Sequence, residues 1–571
     1  MRLIASLAIV VLIILSACTA RAAQTNDYID KARQIFEELL ERTPDDPDVY
    51  KYLGDIYAAE GDSKKSAEFF EKYSQMRPQD YYGWYKQGEI AWARGDRKKA
   101  KRFFEKALDL QGEQKGDLQV QIARARMMAL IGDRSGSDEL FEQLLKQNAA
   151  SPDVAGTWVD TLIDTDRMKE ARLEADRYAK EFPDDYSLQR SRVRTFILSR
   201  EYGEASSALE PLMEKYPDDA GLAADRAELL YGQGDWYEAR PLYEKLAEGS
   251  PENLDFKSTL DDIFMEHNPR LMGGMDFLLN GEDRRYGPFF TYVHPIDSQW
   301  AFELGYKLDY NSSNVVGYNP DYWTVTNTAP LLAYYKPYRT VELSVGCVNN
   351  MNGTTYQPAP VFSTDWNDPI VGHMRLDFIY NDLFDDPVAG LYFDGKQDTV
   401  GFTYDKTFID RIIFSTGYSS VWYRVNGAKA GLGLGDEFGR NDITDTTLQF
   451  IILRRPQITL GYEFYYSKLH VVNDYLNIIP LIPESEQNNI LYGFSYEWNK
   501  WLKTDFGGFV GNDSKRDLSI SDLALYGFHI SNRVKVSKRL ELIGHYEYSS
   551  ENVANTLGRY QFFGVDFLYR F

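Results

Sequence analysis

Two periods of hydrophobicity follow one another along the chain. Between residues 27 and 267 apolar positions recur at helical spacing, and beyond 268 the period drops to two and stays there to the end. In the closing stretch Phe563, Val565, Phe567, Tyr569 and Phe571 take every second position, with Gly564, Asp566 and Arg570 between them and Leu568 breaking the polar row. That predicts a strand with one greasy face and one mostly polar face. The same alternation is clear at Trp300, Phe302, Leu304, Tyr306, Leu308 and Tyr310, at Met374 to Tyr380, at Ile458 to Tyr466 and at Ile490 to Trp498.

Connector lengths turn these strands into an architecture. Short turns are predicted at 295–298, 336–339, 383–386, 407–410, 454–456, 499–501 and 535–538. Mostly longer connectors lie between them, at 311–321, 350–370, 425–443, 471–487, 512–518 and 550–557. Short turns on one side and long loops on the other are the pattern of a membrane β-barrel. A strand on each side of every connector gives sixteen, the faintest being 273–279 and 387–393. The expectation for 270–571 is therefore a 16-stranded antiparallel outer-membrane β-barrel, with short turns towards the periplasm.

The first half keeps a fixed step. Pro44 and Pro78 are 34 residues apart, as are Gly54 and Gly88, Phe36, Phe70 and Phe104, Ala171, Ala205 and Ala239, and Pro183, Pro217 and Pro251. That is the tetratricopeptide period. The step lengthens to 37 between Phe104 and Phe141, where 111–116 extends a turn. The expectation for 27–267 is an all-α solenoid of about six repeats, the first represented only by its second helix, 27–42. Stacked repeats leave a concave surface that holds segments of other proteins and has no catalytic centre of its own.

Composition narrows the address. The formal charge of −23 argues against nucleic acid, which needs a basic surface. Aromatics make up 15% of residues, with 41 Tyr, the amphipathic ring that membrane girdles collect. After the N-terminus no apolar run is long enough for a helical membrane span, a test that a β-barrel escapes. Residues 1–23 read as a signal sequence, with two competing exits. Leu15-Ser16-Ala17-Cys18 fits a lipobox that would acylate Cys18, and Ala20-Arg21-Ala22 fits an ordinary signal-peptidase site. The other cysteine is Cys347, so no disulfide framework is expected.

Sixteen strands leave an aqueous lumen rather than a packed core. Its expected lining includes Glu303, Asp309, Glu342, Asp377, Asp405, Glu463, Glu497, Asp505, Glu541, Glu547 and Asp566 against fewer basic groups such as Lys307, Arg375 and Arg570. A carboxylate-rich wall focuses a negative potential that favours cationic or neutral polyhydroxylated solutes. No cofactor, metal or catalytic residue is expected. The histidines have no H-x-x-x-H spacing, the glycine-rich 431–439 opens no helix, and His545 shares a face with Glu541 and Glu547 by alternation alone.

The end of the chain, with Phe567 and Tyr569 leading to a terminal Phe571, resembles the signature by which outer-membrane barrels are handed to the barrel assembly machinery. Signal sequence, repeat array and barrel in one chain together resemble the exopolysaccharide export porins: the poly-N-acetylglucosamine (PgaA-type) exporters, with the Pel and cellulose exporters as relatives in architecture. The resemblance implies a porin in the lipid of the Gram-negative outer membrane. It would export an exopolysaccharide such as partly deacetylated poly-β-1,6-N-acetylglucosamine for biofilm formation, while periplasmic repeats dock a polysaccharide-modifying enzyme or the synthase complex. It rests on domain order and strand number, so no family position is carried onto a residue here. The competing expectation is a membrane-anchored scaffold or assembly protein whose barrel does not conduct.

Overall fold

The computed structural model describes residues 22–59, 62–93, 96–112, 117–147, 151–249, 254–314, 321–409, 411–514, 523–550 and 559–571. Cys18 and both expected processing sites lie outside or at the edge of these residues. The chain divides into two compact units, Met1–Phe264 and Met265–Phe571.

The described part of the helical region runs from α1 (Ala22–Arg42) to α14 (Leu254–His267). Between them lie six successive pairs, in which α2 (Pro47–Ala59), α4 (Tyr81–Ala93), α6 (Leu118–Ile131), α8 (Pro152–Asp164), α10 (Tyr186–Leu198) and α12 (Ala220–Gln233) are the leading helices. Repeated aspartates start several helices of both kinds, leading and trailing. Asp62, Asp96, Asp117, Asp185 and Asp219 each accept a hydrogen bond from the backbone N–H three residues on, which satisfies a donor that the first turn would leave unpaired. The fixed step also has a packing cause. A Cβ on Gly54 would stand 2.9 Å from the Phe70 ring, and one on Gly88 would stand 2.4 Å from Phe104. Each leading helix thus lets the phenylalanine of its partner reach its backbone, and both rings are fully buried. Among the described residues no helix is long and apolar enough to cross a membrane, which says nothing of strands.

The second unit is a closed antiparallel barrel of 16 strands. The first strands are β1 (Arg270–Asn280), β2 (Asp283–Pro295), β3 (Trp300–Ser313), β4 (Tyr322–Tyr338), β5 (Val341–Asn352), β6 (Thr355–Asp368), β7 (Gly372–Leu383) and β8 (Lys396–Phe408). They continue with β9 (Ile412–Arg424), β10 (Glu437–Arg454), β11 (Gln457–Val471), β12 (Glu484–Asn499), β13 (Leu502–Asp513), β14 (Leu523–Lys535), β15 (Leu540–Ser549) and β16 (Tyr560–Arg570). Closure is made by β1 against β16, with Phe277 opposite Phe563 and Met275 opposite Val565. The terminal residue is tied in as well: the Phe571 N–H donates to the Pro269 carbonyl at 2.9 Å, and Asn268 Nδ2 donates to the Phe571 carbonyl at 2.6 Å.

The number of strands agrees with the expectation, but two errors cancelled in reaching it. Residues 350–370, read as one long connector, contain the turn at Gly353 and the whole of β6. Residues 387–393, read as a strand, instead form an inward-folded segment with the short helix α15 (Ala389–Tyr392), and 383–386 is no short turn but the root of that segment.

Candidate functional site

The apolar residues Phe277, Leu304, Phe378, Leu460, Ile490, Phe506 and Val565 are exposed on the outer face of their strands. Period two places the intervening side chains inside. Every carboxylate named from the sequence as a candidate lining residue occupies such an intervening position. The structure adds that five of them, Asp309, Glu342, Asp377, Asp505 and Glu541, are paired with a lysine or arginine, and that two more, Asp405 and Asp566, stand beside a histidine. Lys307 reaches Asp309 at 3.4 Å and Asp276 at 3.7 Å, Arg375 reaches Asp377 at 2.9 Å, and Lys503 reaches Asp505 at 3.0 Å. Lys336 is 2.9 Å from Glu342, His373 is 3.4 Å from Asp405, and His545 is 3.5 Å from Asp566 while stacked on Phe562. Glu541, almost fully buried, takes Arg570 at 3.0 Å, and Arg570 also donates to the Met265 carbonyl at 3.0 Å. Glu303 accepts from the Tyr334 hydroxyl and Glu463 from Asn489, both at 2.9 Å. Glu497 lies opposite Lys503 in the register, and Glu547 opposite His529 and Phe562. The wall is therefore less negative than its list of carboxylates suggests.

The sequence reading missed what fills one end of the barrel. At the end carrying the long connectors, 384–395 (between β7 and β8), 425–436 (between β9 and β10) and 472–483 (between β11 and β12) share one apolar core. Phe384 packs on Tyr423 at 4.6 Å between ring centroids, Phe438 meets Tyr475 edge-on at 5.7 Å, and Phe393, Ala430, Ile479 and Leu481 fill the spaces between. The first of these connectors also reaches the wall formed by β1 and β2, with four strands between that wall and its own root at β7. Asn280 donates to Asp386 at 3.1 Å, and Arg285 donates through Nη2 to the Asp385 carbonyl at 2.7 Å and pairs through Nη1 with the Asp385 carboxylate at 3.1 Å. Asp283 accepts the Val388 N–H at 2.8 Å. Burial, with Asp385 and Asp283 adding to it against Arg285, pushes the Asp386 carboxyl up to about 6. The available signal was an apolar run, 388–393, set between Asp385-Asp386-Pro387 and Asp394-Gly395. A strand crossing a barrel wall would not be apolar on both faces.

The helical unit carries a second polar feature. Arg126, Asp160, Arg194 and Glu228 are spaced by the repeat period and stand on α6, α8, α10 and α12 with alternating sign. Arg126 takes Asp164 at 3.0 Å and lies 3.8 Å from Glu89, Arg194 lies 4.0 Å from Asp160, and Arg190 takes Asp225 at 2.7 Å. Burial raises the carboxyls of Asp164 and Glu228, whereas Lys86 and Arg126 overcome burial at Glu89 and hold it below its ordinary value. This slot, together with Glu89, Asp164, Arg190 and Asp225 beside it, thus forms a charge ladder that joins successive leading helices.

Two tetratricopeptide repeat profiles match the chain, one at residues 19–81 and 192–253 and the other at 81–114. The helical half is a tetratricopeptide array. No curated protein matches the sequence. Among solved structures, a bacterial polysaccharide outer membrane secretin aligns over 53% of this chain and 99% of its own, at 9% identity and a TM-score of 0.43. A tetratricopeptide repeat protein from Parabacteroides merdae aligns over 42% and 95%, at 14% identity and 0.31, and yeast Tom70 over 42% and 59%, at 15% identity and 0.27.

Proposed function

We propose that this protein is an outer-membrane porin that exports an exopolysaccharide, with its repeats gathering in the periplasm the proteins that make or modify the polymer. The observation that carries the reading is a closed 16-strand barrel, polar within and apolar outside, joined in one chain to a tetratricopeptide array. A barrel of this strand number has room for a hydrated glycan chain. Acidic groups such as Glu303, Glu463, Glu497 and Glu547 suit a polymer bearing free amines, such as partly deacetylated poly-N-acetylglucosamine. Phe567, Tyr569 and Phe571 serve as the assembly signature in this reading.

The deciding experiment is conductance of the full-length protein in a planar bilayer, titrated with glucosamine oligomers and with neutral N-acetylglucosamine oligomers. Blockade by the amine-bearing oligomers supports export of a cationic glycan. A barrel that passes no current under any condition favours the second reading, a membrane-anchored scaffold. The apolar core inside the mouth is the observation on the scaffold's side.

A further inference from the structure

The connector 384–395 is attached in two unlike ways. Through Phe384, Ala389 and Phe393 it is part of an apolar core. Among the described residues the buried members of that core come from the three connectors and from β9, β10 and β11, with Tyr322 of β4 packing on the margin. Backbone and charge contacts reinforce this limb, since the Asn426 N–H donates to the Phe393 carbonyl at 2.8 Å and Lys429 pairs with Asp394 at 3.1 Å. At the far wall the named contacts are all polar: Asn280 with Asp386, Arg285 with Asp385, and Asp283 with the Val388 N–H. Arg285 is held in its pose by Asn311, which accepts from Nε at 3.1 Å.

These attachments differ in strength. Apolar burial adds over every contacting atom and opposes separation throughout. A desolvated ion pair recovers little more than it cost to remove both charges from water. The far wall is also unbalanced in charge, because the Arg285 guanidinium is surrounded by Asp283, Asp309, Asp385 and Asp386. Lys307, the next cation on β3, is taken up by Asp309 and Asp276. Water entering along this wall solvates four carboxylates at once, whereas water entering the apolar core gains nothing.

We propose that 384–395 is a displaceable strap: its 385–388 limb is clamped to the first hairpin around Arg285, and releasing that clamp while the apolar core stays intact opens the mouth of the barrel along β1 to β3. The strap and the two connectors packed on it move as one body, hinged where β7 to β12 enter the mouth. The inference concerns the passage of any small solute, so it stands whether or not the transported substrate is a polysaccharide.

The test reads ionic current through the full-length protein in a planar bilayer. Arg285→Ala should raise the open-state occupancy about tenfold, the change expected when roughly one net polar contact is lost. In a Cys347→Ser background, Asn280→Cys with Asp386→Cys, bridged by a short bis-methanethiosulfonate reagent, should stay at the shut level until reductant releases it. Both results together support the strap. An Arg285→Ala protein that still migrates as a heat-modifiable folded barrel and shows unchanged occupancy overturns it. Should Arg285→Ala fail to fold, the bridged protein decides alone: current equal to that of the unbridged form overturns the strap, and a reductant-reversible shut level supports it.

Discussion

Arg285 on β2 and Asp385 at the root of the β7–β8 connector are joined twice, by an ion pair at 3.1 Å and by a hydrogen bond to the Asp385 carbonyl at 2.7 Å. They are 100 residues apart in sequence. The bond ties two separated parts of the barrel wall across the interior, so the end with the long connectors is not an open tube. Opening that end requires displacing one side of the strap, and the polar side is the weaker one.

This arrangement predicts a pH dependence. Asp386 is faced by Arg285 and Asp283 from β2, Asn280 from β1, its neighbour Asp385, and more distantly by Tyr423 of β9 and Tyr560 of β16. Its carboxyl sits at about 6 in the clamped state against an ordinary 3.8 once released into water. A pKa raised in the clamped state means that the proton favours clamping. The clamp is strongest below the ordinary value and weakens as pH rises through about 6. Open-state occupancy in bilayers should therefore climb between pH 4 and 7, by up to about a hundredfold, and level off above. Asp386→Asn should flatten the profile, and a wild-type profile already flat over that range would contradict the assignment.

How far the sequence could be read depended on whether one face or two met water. Strands such as β11 and β16, apolar outside and polar inside, announce themselves by alternation. β6 was hidden by Pro358 and Pro360, which cannot donate to a ladder. The structure shows why they are tolerated: β6 pairs with β5 along nearly its whole length but with β7 only from Val361 onward, so both prolines lie where no strand partner is needed on the β7 side. Conversely, 388–393 has strand-like composition because it is buried on all sides in the mouth, a circumstance no local period reveals. Alternation puts the candidate carboxylates on the polar face of their strands, and their pairing with Lys307, Arg375 and Lys503 follows from the same period. In each case the partner is two residues away on the same strand, and so faces the same way. The charge ladder of the array is written in Arg126, Asp160, Arg194 and Glu228, whose charges alternate at the repeat step.

The repeat contact at Gly88 should be intolerant of side chains. A Cβ there meets the Phe104 ring at 2.4 Å, and that ring is fully buried between two helices. Gly88→Val should cost about 1–3 kcal/mol through overpacking, seen as a lower urea midpoint in the far-UV circular dichroism of the helices. Adding Phe104→Leu should recover part of the loss. If Gly88→Val alone unfolds at the wild-type midpoint, the close approach is not a determinant of the repeat step.

Arg126 should stabilise the array mainly by keeping its neighbours paired. It serves Asp164 at 3.0 Å and Glu89 at 3.8 Å, with side chains between 21% and 27% exposed. Arg126→Met leaves Asp164 without its paired cation, while Glu89 keeps Lys86 at 3.1 Å, and should cost about 1–3 kcal/mol. Combining it with Asp164→Asn should restore most of that, since the uncompensated charge goes with it. The same urea titration reads both. A double variant no more stable than Arg126→Met would show that the guanidinium acts through packing instead.

The local pairing of wall charges makes a graded prediction about ion selectivity. Asp377 and Asp505 are each matched by a cation two residues away, so Asp377→Asn or Asp505→Asn removes one member of a nearly neutral couple and exposes Arg375 or Lys503. Glu303 and Glu463 instead accept hydrogen bonds from neutral groups, Tyr334 and Asn489, and contribute an undiminished charge to the lumen. Losing a charge shifts the summed potential equally wherever it stood, but a cation that has lost its nearest carboxylate also creates a local barrier for cations, and screening confines that effect to within about 10 Å. Reversal potentials in a potassium chloride gradient should therefore show cation preference falling for all four variants, most steeply for Asp377→Asn and Asp505→Asn. Raising the salt towards molar concentration should shrink the differences among them, because the counter-ion atmosphere then neutralises Arg375 and Lys503 as Asp377 and Asp505 did. A larger effect at Glu303 and Glu463 than at the paired sites would mean that ions pass along the wall of β3 and β11 rather than through the whole lumen.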